Sequence, residues 1–274
     1  MLGRLLAVAL LTATACSRCG ARSHHASAVR ARAAVSSNAY EPVPPGVAAA
    51  MAFRGSDGCK ALKLLQDEYD KAALAGDVRT ASIALHRAGD IYRDVYGNCE
   101  GVAMLERVYS AGDLYQRAYL LDRLRGDERL AGLAANDLGI DSRSEGGDFV
   151  RWFDEAVRLR RDAGSPDELQ ISLNNLGGAL MLHGRGERAV QALDESLALA
   201  VDAGNPVAER KVRINLAASE LVLAEDGGVE HQQRAVAHLK RVRVLTRDAG
   251  SDDADVCHGL RIDQVALCER LLAQ

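Results

Sequence analysis

Apolar residues return along most of this chain at intervals of three and four. Ala235, Val236, Leu239, Val242, Leu245 and Ala249 show it plainly, and that spacing puts them on one face of a helix. Strand-like alternation is essentially absent. From Cys59 onward about ten such segments follow one another, each closed by a turn signal. Ala75-Gly76-Asp77, Tyr96-Gly97-Asn98, Arg125-Gly126-Asp127 and Glu145-Gly146-Gly147 punctuate the first half. His183 to Gly186, Asp226-Gly227-Gly228 and three Asp-Ala-Gly turns ending at Gly164, Gly204 and Gly250 punctuate the second. Each glycine suits a left-handed C-terminal cap, and the Asp, Asn or Ser behind it suits the N-cap of the next helix. Ser165-Pro166-Asp167-Glu168 reads as a complete capping box with proline at the first helical position, a placement that Asn205-Pro206 repeats. Connections this short make neighbouring helices antiparallel. The pattern predicts a lone helix at 59–75, hairpins at 78–124, 127–163, 166–203 and 206–249, and a last helix at 252–273. Asp252, Asp253 and Asp255 suit the start of that last helix.

The segments also repeat. Asp137-Leu138-Gly139 returns as Asn175-Leu176-Gly177 and as Asn215-Leu216-Ala217, and the Asp-Ala-Gly turns return beside them. A string of short-linked antiparallel helices with a recurring motif stacks as a solenoid, each hairpin burying its face on the next. Leu176-Gly177, Leu180, Gly184, Ala189 and Leu193 fall at the spacings of the tetratricopeptide repeat (TPR). Asn174-Asn175-Leu176-Gly177 resembles the longer, roughly 42-residue variant of kinesin light chains and many bacterial repeat proteins. The resemblance implies an all-α fold, a right-handed α-solenoid of antiparallel hairpins with about ten helices. Gly177 reads as the point where the two helices of a hairpin cross closely, with Ala217 as its small counterpart, and Gly177-Gly178 together as a packing device. In the first half two stretches compete for the first-helix motif, Ala88-Gly89-Asp90-Ile91-Tyr92 and Ala111-Gly112-Asp113-Leu114-Tyr115, so the register between Val78 and Leu124 stays open.

Residues 1–15 read as an export signal: Arg4, an apolar run from Leu5 to Leu11, then small residues up to Cys16. Small residues leading directly into a cysteine resemble a bacterial lipoprotein signal, which implies cleavage before Cys16 and a lipid on its sulfur; plain secretion is the alternative. Residues 16–58 then form a lipidated N-terminus and flexible tether, in which Ser17 to Ala39 lacks the large apolar residues needed to offset ordering, and 59–274 the repeat domain. The whole chain carries −4, a mild charge that argues against nucleic acid as a partner. Its distribution is uneven. Between Ser17 and Gly58 five arginines stand against Glu41 and Asp57, leaving +3, so with Arg4 set aside Cys59 onward carries −8. A basic tether suits anionic headgroups, or is a plain linker. An antiparallel pair of helices brings Cys59 and Cys99 to one end, within reach of a disulfide in an exported protein if the helix ends fall right. Cys257 and Cys268 sit eleven residues apart in one expected helix, about 16 Å along its axis, and are not expected to bridge.

Catalytic motifs are missing: no G-x-S-x-G, no H-E-x-x-H, no P-loop and no dinucleotide fingerprint. No cofactor or metal is expected, and the chain reads as no enzyme. What the TPR resemblance implies instead is a concave face lined by the first helices of the hairpins. Carried over, its partner-binding positions are Asn136, Ile140 and Arg143, then Ile171, Asn174, Gly178 and Met181, then Lys211, Ile214 and Asn215. The first hairpin would add His86, Asp90 and Arg93. Asparagine amides can pair with a peptide backbone through both donor and acceptor. The expected function is a protein-interaction scaffold in the bacterial cell envelope, held to a membrane through the N-terminal lipid, with a protein or peptide partner. The rivals are an enzyme or ligand-binding module on the same solenoid, and a sensor or spacer subunit.

Overall fold

The computed structural model describes residues 42–95, 99, 102, 105, 108–144, 148–225 and 228–248, together with 257, 260, 264, 265, 268 and 269. Cys16, the export signal and the tether up to Glu41 lie outside the described residues, as does most of the stretch expected to form the last helix. Ten α-helices run through the described residues. They are α1 (Pro45–Met51), α2 (Gly58–Ala75), α3 (Val78–Val95), α4 (Ala111–Arg125), α5 (Glu128–Ser144), α6 (Phe149–Asp162), α7 (Pro166–Leu182), α8 (Gly186–Asp202), α9 (Pro206–Ala224) and α10 (Val229–Asp248). Each packs chiefly on its neighbours in sequence, so the architecture is an all-α solenoid of antiparallel hairpins.

The turn chemistry produces these boundaries. Gly76, Gly126, Gly164, Gly184 and Gly204 adopt φ of +60° to +73°, a left-handed conformation that glycine enters without Cβ strain. The carboxylates of Asp57, Asp77, Asp127 and Asp148 and the amide of Asn205 each accept a backbone N–H three residues on, capping α2, α3, α5, α6 and α9. Ser165 breaks the expectation of a capping box, because its side chain makes no cap hydrogen bond. Glu168 turns instead to Arg129 of the preceding hairpin, 3.0 Å away. A reach-back carboxylate does occur at α4, where Asp113 accepts from the amides of Tyr109 and Ser110.

The crossing of each hairpin sets the register. A Cβ on Gly89, Gly139 or Gly177 would lie 2.6, 2.6 and 2.4 Å from side-chain carbons of Tyr115, Phe153 and Leu193, respectively. Each of these three first helices thus presents a glycine to a large side chain of its partner helix. In the fourth hairpin Ala217 packs in one cluster with Leu239. This settles the open register: the stretch at Ala88 is the first-helix motif of the α3–α4 hairpin. The stretch at Ala111 begins the second helix, and its Tyr115 supplies the ring that fills the space over Gly89. The α3–α4 connection, 96–110, is much longer than the others, and a disulfide from Cys99 to Cys59 ties it to the start of α2, with the Cα atoms 5.3 Å apart.

Two expectations fail at the ends. The tether does not run to residue 58, because Pro45–Met51 is helical and buries Val47 and Ala50, and Arg79 holds the Pro42 carbonyl at 3.1 Å. Val47 and Ala50 are enough to seat this short helix because α2 and α3 supply the other wall. At the C-terminus the structure corrects the single helix at 252–273. Cys257 and Leu260 sit at bends, and a disulfide joins Cys257 to Cys268 with Cα atoms 6.0 Å apart. One continuous helix would hold the two cysteines about 16 Å apart, and the bends at Cys257 and Leu260 interrupt it. Cys257, Leu260 and Cys268 are buried against Ala217, Ala218, Leu239 and Val242, the face that a further hairpin would otherwise cover.

Candidate functional site

The first helices α3, α5, α7 and α9 lie in register, and counting back from their small residues Gly89, Gly139, Gly177 and Ala217 shows what joins them. The residue three positions before the small residue bonds to the one two positions before it on the next first helix. His86 Nε2 stands 3.1 Å from Asp137 Oδ2, Asn175 Nδ2 donates to Asn136 Oδ1 at 2.9 Å, and Asn215 Nδ2 donates to Asn174 Oδ1 at 2.8 Å. These three rungs form a side-chain ladder across all four hairpins.

The ladder is wired most densely at its first rung. Asp90 accepts the Tyr115 hydroxyl at 3.0 Å on one oxygen and Arg87 Nη1 at 3.1 Å on the other, while Arg93 stands 3.9 Å off. Burial is the largest influence on Asp137 and opposes its charge. The His86 hydrogen bond and the charges of His86, Arg93 and Arg160 outweigh it and hold the carboxyl below the usual carboxylate range. Burial and the neighbouring Asp90 push the Tyr115 phenol well up, so it serves as a neutral donor. Arg160, almost fully buried on α6, donates to the Glu168 carbonyl and to Ser172, whose hydroxyl in turn donates to Asn136. Gly132 makes the room, since a Cβ there would come 3.0 Å from the Arg160 stem.

Possible ligand atoms of His86, Asp90 and Asp137 all lie within 4.8 Å of one another, the arrangement nearest to a metal centre among the described residues. Both Asp90 oxygens already accept hydrogen bonds, and Arg87 and Arg93 balance the two carboxylates. A divalent cation would add charge to a set that is already neutralised. His86 is also only 2% exposed, so its ring faces the network and not a substrate. The open depression of about 390 Å³ between the α4–α5 and α6–α7 turns is lined by Arg125, Gly126, Asp127, Glu128, Arg129 and Ala163, which include no nucleophile or histidine.

The row expected to bind a partner divides accordingly. Asn136 is 4% exposed and spends its carbonyl oxygen on Ser172 and Asn175, so it is part of the stack and does not face a ligand. His86 and Asp90 are sealed in the same way, and Arg93 is partly exposed beside them. Arg143 lies on α5 with its side chain outside the described residues. Ile140, Ile171, Asn174, Gly178, Met181, Ile214 and Asn215 are half-buried and Lys211 is exposed. Ile140 and Met181 rest on the cluster of Phe149, Phe153, Leu173 and Leu176, and Met181 and Ile214 also reach the cluster of Ala217 and Leu239. Gly178 is not the packing device expected of it: where its Cβ would project, nothing among the described residues lies within 4 Å. The ladder pairing and the buried Arg160 escaped the sequence reading. The Asp/Asn-Leu-Gly recurrence marked one side of each of the three rungs, but nothing in it said which residue of the neighbouring unit would be the partner.

No protein-family model and no curated protein matches the chain. Among solved structures it is similar to the nearly identical TPR-like repeats of a candidate kinesin light chain from Podosopora anserina. One form has a TM-score of 0.56 at 15% identity, covering 75% of this chain and 94% of that one. A second has a TM-score of 0.55 at 13% identity, covering 74% and 94%. A signal-transduction ATPase with a tetratricopeptide repeat sensor from Pyrococcus horikoshii also aligns, with a TM-score of 0.40 at 13% identity over 74% of this chain and 36% of that one. The likeness to the kinesin light chain repeats makes the fold a TPR-like solenoid.

Proposed function

We propose that this chain is a non-enzymatic scaffold that takes an extended segment of a partner protein along the half-exposed row of α7 and α9. Gly178 carries the reading. A glycine inside a helix weakens it by about 0.5–1 kcal/mol relative to alanine unless the missing side chain is needed. Gly177 repays that cost by admitting Leu193, whereas nothing among the described residues uses the space over Gly178. Asn174 and Met181 share its helix face at four and three residues' distance, so the notch has an amide on one side and an apolar thioether on the other. A partner backbone or side chain settling there would use the space. Lys211, exposed at the start of the row, would meet an acidic group of the same segment.

The same reading places the protein in the bacterial envelope, anchored through a lipid on Cys16. Two disulfides, Cys59–Cys99 and Cys257–Cys268, support an oxidising compartment. The test is a cross-linked capture from solubilised envelopes with the wild-type chain and with Gly178→Gln and Lys211→Glu forms. The row reading expects loss of specific partners in both variants with unchanged helicity. It is wrong if both variants retain the same partners. The anchor is checked by the intact mass of membrane-extracted protein, where Cys16→Ser should remove the lipid and release the chain.

A further inference from the structure

Four residues before each left-handed glycine that ends a second-type helix stands a buried residue whose carbonyl closes the helix end. These residues are Ala72, Asp122, Arg160 and Ala200, accepting from Asp77, Asp127, Ser165 and Asn205. The backbone role is shared, but the side chains differ. Alanine fits the slot with nothing to satisfy, and Arg160 reaches the Glu168 carbonyl and Ser172. Asp122 brings a carboxyl into the same slot at 2% exposure, and its Oδ1 meets no hydrogen-bond donor among the described residues. It forms no ion pair among the described residues. Ser82 and His86 face it from α3, Arg125 from the end of its own helix, and Asp127 from the cap of α5. The Ser82 hydroxyl is shared with the Ala118 carbonyl, 3.3 Å away.

A carboxylate enclosed without a cation is costly to ionise. We propose that the seam between α3 and α4 is a pH-responsive joint, closed around a neutral Asp122 carboxyl and loosened when that carboxyl ionises. Burial pushes the group up to about 7, with Asp127 adding to the rise and Ser82, His86 and Arg125 opposing it. In an opened seam the carboxyl returns to its ordinary value near 3.8. Between those values the closed form holds a proton that the open form has lost, so each rise in pH across the interval favours opening, and the effect levels off above about 7. Acidification therefore tightens the joint. Because α3 carries His86 of the first rung, the joint sets how firmly the first hairpin holds the rest of the ladder.

Hydrogen exchange of α3 and α4 amides in the full, disulfide-intact chain tests this at pH 6, 7 and 8, after correction for intrinsic exchange. The open population in the wild type should rise roughly tenfold from pH 6 to pH 8. Asp122→Asn, of the same shape but unable to ionise, should show a flat profile there, with α9 and α10 unchanged in both proteins. The same pH profile in wild type and variant overturns the proposal. So does a carboxyl carbon resonance of Asp122 that titrates below pH 5 in the wild type, a measurement that stands even if the variant does not fold.

Discussion

Gly177 and Gly178 are neighbours in one helix and carry opposite consequences. A methyl on Gly177 would sit 2.4 Å from the Leu193 side chain, so Gly177→Ala forces the α7–α8 crossing apart. It should cost about 1–3 kcal/mol, the range of an overpacked core. Gly178→Ala meets open space and removes a flexible residue from a helix interior, so it should stabilise the free chain by about 0.5–1 kcal/mol. Urea unfolding of the two variants decides this, and equal effects of one sign would contradict the assigned crossing. The sequence displayed the pair as identical letters. Their separation depends on which side of α7 meets α8, and only packing fixes that. Asp122 has the same history, since its letter looks like any surface aspartate until the slot around it closes.

Among the elements, the first helices are joined by more than apolar contact. The rungs His86–Asp137, Asn136–Asn175 and Asn174–Asn215 place one polar pair at each junction between hairpins. A neutral hydrogen bond contributes about 1 kcal/mol net, and an unpaired buried partner costs more. Asn174→Ala and Asn215→Ala should therefore each destabilise by ~1 kcal/mol, and the double variant by less than their sum, with a coupling of at least ~0.5 kcal/mol. A double-mutant cycle on thermal or urea unfolding measures it, and strict additivity would mean that the rung contributes nothing. Asparagine at these positions was legible as a repeat feature. The TPR resemblance pointed it at a ligand, whereas the structure turns Asn136 wholly into the stack and half commits Asn174 and Asn215. The reason is distance: adjacent first helices stand close enough for side-chain amides to meet, so part of their hydrogen-bonding capacity is consumed before any partner arrives.

Across the whole molecule, stability passes from hairpin to hairpin, and the ends are where a solenoid is weakest. Here the open face of α9 and α10 is closed by the bend at Cys257–Leu260, with Gln264 donating to the Ala218 carbonyl at 3.1 Å and the Cys257–Cys268 bridge bracing it. A Cys257→Ser/Cys268→Ser chain should lose exchange protection in α9 and α10 first, while α5–α7 keep theirs. Uniform loss across all hairpins would show that the segment is no local cap. The all-α class, the helix boundaries set by Gly, Asp and Pro, and the hairpin pairing were legible in the residues alone, because they follow from local backbone chemistry and from periodicity. The register of the first hairpin, the rungs between hairpins, the bend that lets Cys257 meet Cys268, and the burial of Asp122 and Arg160 emerge only from packing. Each of those depends on which surfaces touch across tens of residues, and no local pattern carries that information.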